Sequence, residues 1–437
     1  MLRVPLPART AACAVLLACG LAYASPPAFA LAIGTCTAAA VALLTFLHPA
    51  AAASLWLLAV AVTPDMWLQD LLPGAGEAVI AALKLAGIGL AAVCALRFGV
   101  AADWCNPALP FLAMFAGGLA HGFPPELSMG ESLRSLVGSM APFAFSFSRL
   151  SQDWCEAVLR TVRWLPLLVA AFGAGLNAAG LHQLVALQDG ARLAGAGHPA
   201  FMAAFALAGA YACLLELLRR GRGGDLALLG ANLALLVLTG ARAPTAIGAA
   251  VVGLSLLFAR APAYPMRRRA KILAAGAIAV CALVPAVSQL TSLRLFNALD
   301  SDAGGLSGRA EIWPLFEAAR DASPWVGWGT GAGKVLVSED SLLAHLLGTT
   351  AAHNEYLRIG VDGGWIGVGL LTLAFVLWTW RHTRGVLASD ALVMRLALAG
   401  SAIHAYTDNT LIATTASVMF AFVSAAFARG RLETRVS

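Results

Sequence analysis

Apolar residues in this chain come in blocks of about twenty separated by short polar gaps, the length a helix needs to cross a bilayer core. The blocks lie near 10–24, 28–47, 51–63, 77–97, 107–121, 132–148, 157–177, 199–218, 225–240, 245–259, 270–288, 362–381, 391–408 and 411–428. Several are short, so the pattern predicts an all-α polytopic membrane protein with about 12 (11–14) transmembrane helices. Arg3 and Arg9, the apolar run from Ala11 to Leu21 and Ala22-Tyr23-Ala24 also imitate a cleavable leader; a first membrane helix is the expectation. One gap is long, Gln289 to Val361. It divides the chain into an N-terminal helical bundle (1–288), a large loop (289–361), and C-terminal helices with a tail (362–437).

Composition agrees with that pattern. Of 437 residues, 60% are hydrophobic and only 12% charged, with a mean hydropathy of +0.79. A soluble domain has about twice that charge, so an ordinary cytosolic enzyme, a disordered chain and a nucleic-acid module fit poorly. The eight cysteines (13, 19, 36, 94, 105, 155, 213 and 281) all avoid the large loop and form no Cys-x-x-Cys or Cys/His cluster. Neither a disulfide framework nor a metal site is indicated.

The net charge of +6 becomes informative once it is sorted by side. With the amino terminus inside, roughly 20 of the 29 basic residues and about 7 of the 23 acidic ones fall on the inner side. That is about +13 inside and −7 outside, the positive-inside bias. The basicity is therefore a topology signal, with both termini inside, and it implies no nucleic-acid partner. The exceptions stand out: Lys84, Arg134, Arg192, Arg242, Arg294, Arg309, Arg320, Lys334 and Arg358 lie on the outer side or within spans. An outward arginine at the mouth of a membrane helix needs a carboxylate or an anionic ligand.

Candidate chemistry gathers on that outer side. Arg242 sits in a polar break, Leu238-Thr239-Gly240-Ala241-Arg242-Ala243-Pro244-Thr245, where a guanidinium and free helix-end N–H groups could hold a phosphate; a snorkelling arginine is the alternative. Arg309 opens a helical pattern after Gly304-Gly305-Leu306-Ser307-Gly308, able either to clamp an anion or to pair with Glu311 or Glu317. Pro314 starts or kinks that helix. A second short helix is expected over Leu342–Leu347, with an acidic first turn and a stop at Gly348. His353, in Ala352-His353-Asn354-Glu355-Tyr356-Leu357, is poised to take a proton near neutral pH, oriented by Asn354 or Glu355, or else it caps the next helix. His404, in His404-Ala405-Tyr406-Thr407-Asp408-Asn409, ends another span on the same side, and His198 with Arg192 and Asp189 marks a third outer loop. Asp300-Ser301-Asp302 reads as a solvated loop. Gly327 to Lys334 lacks the Gly-Lys-Ser/Thr ending of a nucleotide loop, and no hydrolase elbow is present.

Together these elements resemble the O-antigen ligase and polymerase family of bacterial envelope glycosyltransferases. The shared pattern is a Thr-Gly-Ala-Arg break (239–242), a large outer loop with Gly308-Arg309 and Trp313, then Pro324, Gly327 and Gly329. Ala352-His353-Asn354-x-Tyr356-Leu357 leads on into Gly363-Gly364-Trp365-Ile366-Gly367. The motifs run from about Leu226 to the carboxyl end. The resemblance implies a GT-C-like inner-membrane enzyme whose large structured loop and active site face the periplasm. The donor would be O-antigen on undecaprenyl pyrophosphate and the acceptor a sugar hydroxyl of lipid A–core, with no metal, ATP or other cofactor. The family's arginines map onto Arg242 and Arg309 and its histidine onto His353, giving two pyrophosphate clamps and a general base in an inverting displacement. Arg192, His198, Asn354, His404, Trp313 and Trp328 complete the expected substrate contacts. The position of the loop, late in the chain, favours ligase over polymerase. A secondary transporter, which should show paired halves and discontinuous helices, and a non-catalytic scaffold are the other readings.

Overall fold

The computed structural model of the protein describes residues 45–71, 74–187, 190–283, 309–338, 340–347, 349–411 and 414–434. The bundle is helical. In chain order it runs α1 (Pro49–Ala61), α2 (Pro64–Leu71), α3 (Ala75–Phe98), α4 (Leu109–His121), α5 (Met129–Met140) and α6 (Gln152–Ala178). Then come α7 (Pro199–Arg220), α8 (Gly223–Leu238), α9 (Arg242–Phe258) and α10 (Met266–Leu283). The loop carries α11 (Arg309–Ala322), α12 (Ala332–Val335) and α13 (Leu342–Leu347), and the chain finishes with α14 (Glu355–Thr383), α15 (Ala388–His404) and α16 (Thr414–Thr434). A two-residue antiparallel hairpin, β1 (Val185–Ala186) with β2 (Arg192–Leu193), interrupts the link from α6 to α7.

Every expected apolar block from 51–63 onward falls on described helices, the 270–288 block only as far as Leu283, beyond which residues 284–288 lie outside the described residues. The two blocks before it, apart from residues 45–47, and Arg294, Asp189 and Gly348 lie outside the described residues. Helices α3, α6, α7 and α14 are long and apolar enough to cross a membrane, with mean hydropathies of 2.3, 1.4, 1.9 and 1.7, and α1, α4, α8 and α9 are shorter apolar helices. Leu85, Leu96, Phe172, Leu254, Leu373 and Val376 face outward from these helices. Water would not tolerate that much exposed hydrocarbon, and a bilayer does. This is an all-α membrane protein.

Helix α7 is the axis of the bundle: almost every residue from Met202 to Leu218 is buried. It is rich in alanine, so the backbones of α6, α8, α9, α15 and α16 approach it closely. A prolyl break in one helix is flanked by a polar contact from its neighbour. Pro166 interrupts the α6 ladder, and the Asn232 amide on α8 donates to the Arg163 carbonyl beside it. The block expected at 132–148 divides into α5 and a 3₁₀ segment, Ala141–Phe147, with Pro142 at its start. Phe143 in that segment packs on Phe420 of α16 at 4.3 Å between ring centres.

Several charged groups at the end of the bundle where α7 finishes neutralise one another. Arg163 pairs with Asp225 at 2.6 Å and Arg220 with Glu216 at 2.9 Å. Arg219 reaches Asp390 at 3.3 Å, and Arg429 pairs with Glu216. Glu216, which looks isolated in an apolar stretch, is thus a tie between α7 and α16.

The loop ends earlier than expected: α14 begins at Glu355, although Gly363-Gly364 reads as a helix breaker. Gly364 does break it, at φ +58° and ψ −164°. The carbonyls of Val361 and Asp362 and the N–H groups of Trp365 and Ile366, which would bond to each other in a regular helix, are taken over by the loop. Trp328 N–H donates to Val361 (2.9 Å), and Gly329 N–H donates to Asp362 (2.9 Å). In return, Trp365 N–H donates to Pro324 (2.7 Å) and Ile366 N–H to Trp325 (3.1 Å). This contact demands glycine. A Cβ on Gly364 would stand 2.4 Å from the Trp325 carbonyl carbon, and one on Gly327 2.5 Å from the Gly363 nitrogen. The glycine-rich stretch is a docking strip for the loop.

Candidate functional site

The outward arginines separate into two groups. Arg134 pairs with Glu77 at 2.9 Å, and Arg320 pairs with Asp321 at 2.9 Å while lying over the Trp365 ring. Arg358 is buried between Glu355 (2.5 Å) and Asp362 (2.9 Å), and Asp362 in turn accepts the Gly333 N–H at 2.8 Å. These three are structural, and Arg358 locks the docked loop onto α14.

Arg192 and Arg242 belong to a different place. Arg192, on β2, donates from Nε to the Thr239 carbonyl at 3.1 Å. Gly240, at φ +65°, turns the chain there, and Arg242 is the first residue of α9, exposed to solvent. The hairpin therefore brings Arg192 to the same turn that carries Arg242. His198 is the N-cap of α7, its Nδ1 accepting the Ala200 N–H at 3.2 Å. Ala200 and Phe201, just beyond it, line the large cavity described next.

That cavity, of about 780 Å³, lies between α7, α14, α15 and α16. One mouth is polar, with His353, Glu355, His404, Asp408 and Asn409. The walls are apolar and include Ile359, Leu371, Phe375, Leu398 and Phe420. Ile247 near the start of α9 lies against Gly400 near the end of α15, and Arg219 at the end of α7 pairs with Asp390 at the start of α15, so the starts of α7 and α9 sit at the end of the bundle where α15 finishes. The arginine turn and this polar mouth therefore occupy one end.

His353 is held in the left-handed region at φ +47°, which costs a non-glycine residue about 1–3 kcal/mol and is seen where the surroundings over-determine it. Its Nδ1 faces Asp408 Oδ1 at 3.4 Å and its Nε2 meets Thr349 Oγ1 at 3.2 Å. His404 approaches the other Asp408 oxygen, Nε2 to Oδ2 3.7 Å. Burial pushes the Asp408 carboxyl up. The His353 hydrogen bond, the neighbouring His404 and the Asn409 N–H outweigh it and hold the group below its ordinary 3.8. An ionised Asp408 favours the His353 tautomer with the proton on Nδ1, which leaves Nε2 able to accept one.

The group behind His353 is therefore Asp408, not Asn354 or Glu355. Glu355 is committed to Arg358 and to the Leu411 N–H at 2.7 Å. Asn354 is buried and caps α14, accepting from Tyr356 (3.0 Å) and Leu357 (3.2 Å). Sequence reasoning singled out His404 but passed over Asp408; the i, i+4 spacing of the two, in the turn between the last two helices, was the available signal. Trp313 donates its indole N–H to Ala352 at 2.8 Å and meets Tyr406 edge-on, so α11 is pinned to the residue before His353. Trp328 donates to Ala319 at 2.8 Å and rests against His121. Both indoles act as pins within the loop. Arg309 opens α11 four residues before Trp313; its side chain lies outside the described residues.

Residues 226–372 match the family model described as O-antigen ligase. This part of the chain is similar to the O-antigen ligase family. The ligase-family region is about a third of the chain, from the start of α8 to the middle of α14, and includes Arg242, Arg309 and His353. It ends before His404 and Asp408, short of the carboxyl end to which the sequence resemblance extended. No curated protein matches the chain. The members of the matched family are glycosyltransferase-like enzymes of the O-antigen ligase or polymerase type.

Proposed function

We propose that the protein is an O-antigen ligase of the bacterial inner membrane. In this reading about twelve helices in a GT-C-like arrangement place the polar mouth and the loop on the periplasmic side, with both termini cytoplasmic. It moves O-antigen from undecaprenyl pyrophosphate to a sugar hydroxyl of lipid A–core. The observation that carries the reading is His353, strained and backed by Asp408, at the polar mouth of an apolar cavity within a membrane bundle. A polar mouth above hydrocarbon walls suits a ligand with a charged head and a polyprenyl tail. The cavity volume lies in the range of ligand pockets, enough for the part of the tail nearest the head.

The chemistry follows from that placement. The acceptor hydroxyl displaces Thr349 at His353 Nε2. As its oxygen attacks the anomeric carbon, the proton passes to Nε2 and the bond from that carbon to the pyrophosphate oxygen breaks. A single displacement inverts the anomeric configuration. Asp408 stabilises the imidazolium that forms. Negative charge builds on the leaving pyrophosphate, where Arg242 and Arg309, with Arg192 beside the Arg242 turn, stabilise the transition state more than the ground state. His198, His404, Asn354, Trp313 and Trp328 shape the mouth or support it. Cleavage of the donor's own bond between the sugar and the pyrophosphate drives transfer, with no metal, ATP or cofactor in the scheme.

The test uses purified protein in detergent with undecaprenyl-pyrophosphate-linked O-antigen and matched lipid A–core, without ATP and with chelator. A single-step shift of lipid A–core on a gel is expected. His353→Ala should lower the rate by about 10²–10⁴ and Arg242→Ala by about 10²–10³. If the lipid-linked glycan lengthens while lipid A–core stays unmodified, the protein is a polymerase. No product with either acceptor rejects transfer and returns transport as the reading.

A further inference from the structure

The large cavity does not stop in the middle of the bundle. Its lining on α14 continues from Tyr356 to Trp380, roughly 36 Å of helix at 1.5 Å per residue, and its far end is marked by Thr379, Trp380 and Arg395. Arg395 also lines a second cavity of about 490 Å³ at the end opposite His353, together with Arg260 and Arg384. The three arginines come from three places: the turn after α9, the turn between α14 and α15, and the second turn of α15. Arg384 lies over the Trp380 ring at 4.3 Å, and Arg395 Nε is held by Thr383 Oγ1 at 2.8 Å. Among the described residues no carboxylate pairs with any of the three. Five other arginines of this end, Arg163, Arg219, Arg220, Arg381 and Arg429, do have carboxylate partners.

We propose that Arg260, Arg384 and Arg395 form a binding site for the phosphate of an anionic glycerophospholipid, with an acyl chain entering the far end of the apolar cavity past Trp380. Guanidinium groups supply paired donors to phosphate oxygens, and three converging without carboxylates leave a net charge that a single phosphodiester would offset. Continuity through Arg395 between a basic cavity and a hydrocarbon-walled one distinguishes a lipid from free phosphate: the ligand needs both a charged head and a tail. This end also carries the excess of Lys and Arg that marks the inner side, where anionic lipids are abundant. The proposal rests on the chain's membrane placement and not on its transfer reaction.

The experiment measures lipid retention, by native mass spectrometry and thermal melting, on full-length protein titrated with phosphatidylglycerol or phosphatidylcholine. Phosphatidylglycerol should bind and raise the melting temperature, with affinity falling about fivefold for Arg395→Gln and about 100-fold for the triple change Arg260→Gln, Arg384→Gln and Arg395→Gln. Arg267→Gln with Arg268→Gln removes two exposed charges beside the site and should leave binding unchanged. Arg395→Gln alone keeps the test valid if the triple variant does not fold, and His353→Ala should retain lipid whatever its effect on transfer. Equal loss in the Arg267/Arg268 control would mean diffuse surface attraction and overturn the proposal. So would phosphatidylcholine binding as tightly as phosphatidylglycerol, or inorganic phosphate competing as well as the lipid.

Discussion

Replacing Asp408 by asparagine removes one charge and almost no volume, so it isolates the carboxylate's electrostatic part in the proposed reaction. The histidine nitrogen and the carboxylate oxygen are 3.4 Å apart, with side chains 36% and 31% exposed. Two unit charges at that distance attract by about 5 kcal/mol at an effective dielectric of 20 and by about 1 kcal/mol in bulk water. At one-third exposure, solvent screening puts the value between those limits, near 2 kcal/mol, or about thirtyfold in rate. The attraction acts on the imidazolium formed in the transition state and not on the neutral ground-state ring, so the loss should appear in kcat with little change in KM. Steady-state transfer to lipid A–core, with expression and melting temperature matched, reads it directly. In the His353→Ala background Asp408→Asn should add almost nothing, because the two groups act as one unit. A kcat within about threefold of wild type, or a full additive loss in the double variant, would refute the assignment of Asp408 as the positioning residue for a His353 base.

Three further outcomes follow from the packing. Gly364→Ala should destabilise the protein by at least about 2 kcal/mol through its positive φ and the close Trp325 backbone, and expose the 309–354 loop to limited proteolysis; Gly369→Ala, facing open space on the same helix, is the comparison. Arg358→Met should cost about 3–5 kcal/mol by leaving two buried carboxylates without their cation, measured as a fall in melting temperature. Because Asp408 sits below its ordinary 3.8 in the folded protein, its stabilisation is fully present above that pH and is lost as pH falls through the lower, folded value. The melting-temperature gap between wild type and Asp408→Asn should therefore narrow as pH falls below about 4.

Membrane character and nearly every span from residue 51 onward were legible in the sequence, because hydrocarbon length and hydropathy are local properties that a bilayer reads one helix at a time. The same holds for the helix-start position of Arg242 and the place of His353 just ahead of a helix. Pairwise assignments were not legible. Whether an outward arginine is buried between carboxylates or lies at an exposed turn depends on which helices pack together. Arg358 and Arg242 are alike by position, and one is locked between Glu355 and Asp362 while the other lies exposed at a turn. The expected helix start at 362 fell short of the true start of α14 at Glu355 for the same reason. The hydrogen bonds that carry the helix across the break come from Pro324 to Gly329, some 35 residues away in sequence. Asp408 behind His353, the hairpin that delivers Arg192 to the Arg242 turn, and the single cavity joining a polar mouth to a basic far end belong wholly to the tertiary structure. Local pattern determines which segments become helices in a membrane; side-chain partnership is decided only when those helices fill the space between them.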